Sequence, residues 1–439
     1  MTKSNDLSTS YLHDYSKSLQ PKLSKWRRYL HQHPELGWCE FLTSSYIKEA
    51  LEPLKCDVYT GEAVTKSDQR LGLPTEEIRQ FYYRLAEEKL GPSQFLEEIA
   101  QSHTGVVAQF ETGKPGKHMA FRFDIDALPI QEVELKDHIP EKEGFRSNRQ
   151  QTMHACAHDG HTAIGLGLAQ FLDQHLDELT GTYTLLFQPS EEGLRGARSM
   201  VEKGWLDGVD LFLSGHIMEG ELGTVTATTH GQLASTKYET TFHGRSAHAG
   251  ANPDSGANAI LAAAHATIGL HGISRHHAGD SRINVGQISG GQGKNIIADY
   301  AKIGFETRGS TTEVNSFISN EAHRIIEGAA RMQNVTYETK KQGESISVPS
   351  NREWVGKVKQ ALTDSHIVTK IIDDGVVGGS EDATLMMKAV QDQGGLATYM
   401  LYHSPLAGLH HQPNFDYHEN VLCVAVHTLM SLVVAEQRN

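Results

Sequence analysis

The chain lacks most of what would send a protein out of the cell, into a bilayer or onto a nucleic acid. Only four cysteines occur in 439 residues, Cys39, Cys56, Cys156 and Cys423, with no disulfide-like spacing among them. That suits a reducing compartment. The stretch from Met1 to Gln20 is polar and has no apolar core of a secretion signal. No apolar run is long enough to span a bilayer, so no membrane partner is expected. There is no block of lysine and arginine, and a net charge of -14 argues against nucleic acid. What remains is the expectation of a soluble, cytoplasmic, globular protein. Its length exceeds one typical domain, so two are expected.

Histidine, by contrast, is abundant, with 25 residues. Many lie in loop-like settings such as His276-His277, where a solvated ring needs no further account. The stretch Met153-His154-Ala155-Cys156-Ala157-His158-Asp159-Gly160-His161 is different. Cys156 and His158 are two apart, and in extended chain such residues point the same way, so thiolate and imidazole can meet one ion. Small residues and helix formers follow from Thr162 to Leu176, which would place these ligands where a loop enters a helix. A lone Cys-x-His is more often a buried thiol beside a surface histidine; the rest of the chain shifts that balance.

Residues 19–54 read as helix broken at His33-Pro34-Glu35-Leu36-Gly37, because Pro34 disfavours helix at His33. Residues 60–104 are a polar insertion with helical patterning between Gly72-Leu73-Pro74 and Gly91-Pro92. Strands are expected at 105–110, 119–123, 183–188 and 210–214, the first two pairing with each other, with helices at 161–176 and 194–204. This alternation predicts an α/β fold with a mixed, mostly parallel sheet flanked by helices. Ligands bind beyond the carboxyl ends of such strands, where Asp124, Glu191, Glu192 and His216 fall. From about Ala227 the order becomes βαββαβ, with strands at 237–242, 282–288, 300–307 and 335–339 and helices at 258–270 and 314–332. That is the order of a ferredoxin-like α+β unit. It predicts a second domain, 227–343, inserted into a first made of 1–226 and 344–439. The last part holds Gly378-Gly379-Ser380-Glu381-Asp382, a helix, a strand at 397–401, His410-His411-Gln412-Pro413 and a final helix at 418–434.

One cysteine, a glutamate and several histidines at loop and strand ends can hold two divalent ions. Carboxylate and imidazole suit zinc or manganese, and a thiolate tilts the choice toward zinc. Two such ions can share a water and lower its pKa. Adjacent Glu191 and Glu192 would point in different directions, one to metal and one to the water as general base. The plainer alternative is a pair of glutamates complementing a helix dipole. The inserted domain offers His248, Asn295 and Arg308; Arg308 follows a strand and could clamp a carboxylate in two-point fashion, although a surface arginine is the commoner case.

Read together, Trp26-Arg27-Arg28, Asp124-Ile125-Asp126-Ala127-Leu128, residues 153–167 and 187–200, His248-Ala249-Gly250 and Gly379-Ser380-Glu381-Asp382 through Met387 resemble the M20 metallopeptidase family, in its amidohydrolase branch. The resemblance runs from about Lys22 to Val433. It implies a zinc-peptidase-like catalytic domain with a lid and dimerisation domain. It implies that Cys156, His158, Glu192, His216 and His411 bind two ions, Mn2+ or Zn2+, and that Glu191 is the base. His411 is preferred to His410 by its spacing from Pro413 and Phe415. Asp124 would orient a ligand histidine. Asn295 and Arg308 would hold the substrate carboxylate, and His248 would reach into a partner chain's site to stabilise an oxyanion. The branch has glycine where this chain has Ala157, so a left-handed backbone there would be strained. The implied substrate is an N-acyl amino acid, narrowed by the insertion near Leu71-Gly72-Leu73-Pro74 to p-aminobenzoyl-glutamate or a similar aroyl-glutamate. Alternatives are a broader N-acyl-amino-acid amidohydrolase, a homodimer or a heterodimer with a related second chain, and a non-catalytic relative. The intact ligand set argues against the last.

Overall fold

The computed structural model describes residues 7–437; the first six residues of the polar N-terminal stretch lie outside the described residues. The first helix, Thr9–Gln32, starts well before Leu19 because Ser8 caps it, accepting a hydrogen bond from Tyr11 N at 3.3 Å. Leu12, Leu19, Leu23, Trp26 and Leu30 form its buried stripe. It stops at His33, ahead of Pro34, and helix resumes at Phe41–Leu51.

Strands β1 (Asp57–Tyr59), β2 (Val106–Glu111), β3 (His118–Asp124), β4 (Thr182–Gln188), β5 (Leu211–Glu219) and β6 (Thr224–His230) come first. Four strands of another sheet follow: β7 (Ala234–His243), β8 (Ser281–Gly290), β9 (Tyr300–Gly309) and β10 (Thr336–Ser345). The chain then returns with β11 (Lys370–Val376) and β12 (Leu396–Ser404). The eight-stranded sheet has the order β1-β2-β4-β3-β5-β12-β6-β11. Its centre is parallel: β3 pairs with β4 and β5, and β5 with β12. Side chains alternate between two cores. Val106, Ala108 and Phe110 face helices Thr9–Gln32, His158–His175 and Asn420–Glu436, whereas Val107 faces the side covered by Ala383–Asp392.

The four-stranded sheet, β10-β7-β9-β8, is antiparallel throughout. Helices Ala259–His271 and Thr312–Met332 cover one face, burying Phe242, Ala263, Ile303 and Ile326 between them. The βαββαβ order is as read. The 60–104 segment contributes helices Glu76–Leu90 and Gln94–Ile99, which make a small core of their own against Phe41 and Leu42 through Tyr82, Ala86, Leu96 and Ile99. Among the described residues no helix is long and apolar enough to cross a membrane.

Several expectations need correcting. β2 does not pair with β3; β4 lies between them, antiparallel to β2 and parallel to β3. β4 is buried along nearly its whole length, so it takes an interior place with a partner on each side. β5 continues past Ser214, because β12 pairs with it as far as Ser404↔Glu219, so His216 sits within a strand opposite Leu401. β6 and β11 carry no apolar run: β6 is mostly threonine, which suits a strand but is polar, and β11 holds Asp373, Asp374 and Gly375, which are poor strand formers. β6 belongs to the large sheet, so the change of texture near Ala227 falls inside a strand. The helix expected at 194–204 shrinks to Ala197–Val201, because Gly193 and Leu194 take left-handed backbone.

Candidate active site

The loops after β3 and β4, the start of the helix His158–His175, the middle of β5 and the loop after β12 meet in one place. Ala157 has φ +65° and caps that helix, so the chain turns sharply between Cys156 and His158. Ser190, Leu194 and His411 also take positive φ, which side chains other than glycine rarely adopt. Strained backbone thus gathers around the site. His411 N donates to Ala155 O at 2.8 Å, which brings the loop after β12 against the loop carrying Cys156.

Cys156 Sγ lies 3.4 Å from His216 Nε2, and His411 Nε2 lies 3.4 Å from Glu192 Oε1. The donor atoms of Cys156, His158 and His216 lie within 4.8 Å of one another, and so do those of Cys156, Glu192 and His411. These two triads share one thiol and together contain the five residues expected as ligands. His158 Nε2 is buried with no hydrogen-bond partner among the described residues. His411 is pushed up to about 10 by its hydrogen bonds with Cys156 and Glu192, so positive charge is favoured there. Thiolate, imidazoles and carboxylate with unmet donor capacity fit divalent metal ions. His216 Nδ1 bonds Ile217 O at 2.7 Å, which turns Nε2 toward Cys156.

The two glutamates have opposite electrostatics. Burial pushes the Glu191 carboxyl well above its usual range, and Glu381, Glu192 and Asp382 add to this. Burial acts on Glu192 too, but the hydrogen bond from His411 and the charges of His158 and His411 outweigh it and hold that carboxyl low. One is therefore disposed to hold a proton and the other to stay charged, the pairing that separates acid–base work from ligation.

Asp126 organises the centre and had been passed over. Its Oδ1 accepts from Glu191 N at 3.1 Å and its Oδ2 from Glu192 N at 2.9 Å. His158 Nδ1 donates to Asp126 O at 2.9 Å. So Asp126, not Asp124, bonds the ring of the expected ligand His158. Asp124 instead accepts from His161 Nδ1 at 2.6 Å and from Arg122 Nη1 at 2.6 Å, and His161 Nε2 accepts from Ile217 N at 3.0 Å. The signal was present in Asp124-Ile125-Asp126, since alternate residues of an extended segment share a side. His154, the third histidine of the stretch, is buried with neither ring nitrogen hydrogen-bonded among the described residues.

A cavity of about 400 Å³ opens over these groups, lined among others by Cys156, Glu191, His411, Tyr399, Lys237 and Arg308. Arg308 comes from β9 and Lys237 from β7, so the small sheet supplies two cations to it. Lys237 was missed because nothing in its sequence context distinguishes it. Arg308 is already bound by Glu306, through Nε at 2.8 Å and Nη2 at 3.1 Å, which leaves its Nη1 end free of that carboxylate. His410 lines the cavity as well, but its Nε2 is bonded to Ile217 O at 2.9 Å. His248 and Asn295 do not line it. They sit side by side on exposed backbone, where Ala249 N donates to Asn295 O and His248 bridges to Ile296. Within one chain, Asn295 is thus not brought to Arg308's cavity.

Fold and site together define a hydrolase whose donor set fits divalent metal ions. Residues 120–435 match the family described as Peptidase family M20/M25/M40, and the chain belongs to that family. It is 43% identical over 420 residues to an indole-3-acetyl-aspartic acid hydrolase of Enterobacter agglomerans, covering 95% of this chain and 96% of the relative. It is 42% identical over 420 residues to one of the named chains of the p-aminobenzoyl-glutamate hydrolase of Escherichia coli, with the same coverage. The crystal structure of an aminobenzoyl-glutamate utilization protein from Klebsiella pneumoniae matches with a TM-score of 0.84 at 38% identity, covering 96% of this chain and 98% of that one. The chain is a hydrolase acting on amide bonds.

Proposed function

We propose that the protein cleaves the amide bond of N-acyl amino acids with an aromatic acyl group, p-aminobenzoyl-glutamate being the favoured substrate. What carries this is the two donor triads sharing Cys156, set beside Glu191 in a cavity that also holds Lys237 and Arg308. Cys156, His158, Glu192, His216 and His411 would hold two divalent ions, zinc or manganese, with the thiolate favouring zinc. When bound, the ions acidify a water and polarise the amide carbonyl. With divalent ions beside it to favour its ionised form, Glu191 would take the proton of the attacking water and pass it to the leaving nitrogen. Its buried setting suits it to carry that proton between the two steps. Asp126 fixes the position of both glutamates. A glutamate leaving group carries two carboxylates, and Arg308 and Lys237 supply two cations to meet them.

The small sheet and its helices would form a lid and dimerisation domain, 227–343; its strands run from Ala234 to Ser345. His248 and Asn295, exposed and away from their own cavity, would complete the site of a partner chain, either a second copy or a related but distinct chain. The Escherichia coli relative is itself named as one component of a multi-chain hydrolase, which supports keeping both options. Four unpaired cysteines are consistent with a cytoplasmic enzyme.

The discriminating experiment assays p-aminobenzoyl-glutamate, indole-acetyl-aspartate and hippurate side by side. The proposal expects the highest kcat/KM for the first and the lowest for hippurate, which has one carboxylate. Equal values for all three would favour a broad N-acyl-amino-acid amidohydrolase. Arg308→Ala should raise KM for free-carboxylate substrates; an equal effect on an esterified analogue would remove the clamp.

A further inference from the structure

A second cavity, of about 510 Å³, lies between the insertion's helix Glu76–Leu90 and the loop at 148–152. Its wall includes Phe81, Tyr82, Lys89, Asn148, Arg149 and Gln150, and among the described residues no aspartate or glutamate lines it. The Arg149 side chain is only 12% exposed, and its Nε and Nη1 are buried without hydrogen-bond partners among the described residues. The carboxylate near it, Glu35, stands 3.8 Å from the guanidinium and is already engaged by Leu42 N, Thr43 N and Thr43 Oγ1. The guanidinium lies over the Tyr82 ring at 5.4 Å, and Tyr82 is fixed by a 2.9 Å bond between its hydroxyl and Thr152 Oγ1.

Lys89 forms no ion pair with a carboxylate among the described residues. Its Nζ donates to His33 Nε2, the nitrogen left as acceptor because Nδ1 is bonded to Tyr29 O. Burial and the charge of Arg149 lower Lys89 and outweigh the charge of Glu35, which raises it. Two cations therefore crowd one cavity, one of them buried with donors unmet, and an anion is what relieves both conditions. Phe81, on the same helix as Lys89, gives the cavity an open ring, 51% exposed. A flat apolar body with one carboxylate matches two cations beside an exposed ring.

We propose that this cavity binds a small aromatic carboxylate, held by Arg149 and Lys89 with its ring against Phe81. It is separate from the metal-facing cavity and assigns a purpose to the 60–104 insertion.

The test uses the full-length Phe81→Trp variant, read as an emission difference from the wild type during titration with benzoate. A saturable change is expected. Adding Arg149→Gln should weaken apparent affinity at least tenfold, Lys89→Gln should weaken it less, and Arg149→Lys should restore part of it. Circular dichroism and basal turnover confirm folding; were Arg149→Gln unfolded, Lys89→Gln would carry the test. No saturable change, or affinity indifferent to both Arg149→Gln and Lys89→Gln, overturns the proposal. Saturation by inorganic phosphate at the same concentrations would make this a general oxyanion site and overturn the aromatic assignment. A change driven by protein concentration alone would mean that another chain fills the cavity and would overturn it too.

Discussion

Two clusters of buried charge flank the Met153–His161 stretch, and they are built on opposite plans. Behind it, Arg27 bonds Asp159 at 3.0 Å and Asp416 at 2.5 Å. His31 bridges Asp159 at 2.8 Å and Glu132 at 3.0 Å. Asp159 also accepts from Gly160 N at 2.8 Å and Tyr417 hydroxyl at 3.1 Å, so each charge in this cluster has its partners. In front, His158 Nε2, Ser190 Oγ and Ser380 Oγ are buried without hydrogen bonds among the described residues, and backbone strain collects. A satisfied network fixes a shape, whereas unmet donors and strain mark where something else must bind. The same nine-residue stretch is thus a structural anchor on one side and a reactive surface on the other.

The contrast is broken most sharply by Glu191→Gln. It should cut turnover by roughly 10²–10⁴ while metal content and unfolding midpoint stay near wild type. A variant that loses stability but keeps turnover would move Glu191 to the structural side. Arg27→Met should do the reverse. Leaving Asp159 and Asp416 buried without their cation costs on the order of 3–5 kcal/mol, read by denaturant unfolding. A loss below about 1 kcal/mol would show that the rear cluster is not an anchor.

The rear cluster also has a pH signature. Burial and Arg27 push His31 down, but hydrogen bonds to Asp159 and Glu132 outweigh them and lift it to about 9. Its folded value is above the ordinary 6.5, so its contribution is complete below about pH 6.5 and is lost as pH rises through about 9. Stability should fall across that window by up to about 3 kcal/mol, and His31→Gln should flatten the decline. The smallest effect is at the junction itself. Ala157→Gly should relieve the left-handed strain and stabilise by about 1 kcal/mol. Destabilisation would mean that the lost methyl contact outweighs the strain.

The contrast also explains what could be read in advance. Residues that carry chemistry stood out as a thiol with spaced histidines, paired glutamates and Asp124-Ile125-Asp126. The two-sheet order followed from apolar runs and helical stripes. What stayed hidden is set by distant partners. β4 separates β2 from β3 because it is buried on both faces, and β6 and β11 are strands only because β12 and each other pair with them. Asp126 meets His158 and Asp124 meets His161 across the loop, and Lys237 and Arg149 matter only through cavities that folding creates.

The central claim is that both ions depend on one shared thiol. Metal analysis of the purified wild type and of Cys156→Ser, with folding checked by circular dichroism, tests it directly. The account predicts two divalent ions per wild-type chain and loss of both in the variant. A folded Cys156→Ser protein that keeps the wild-type count would contradict it.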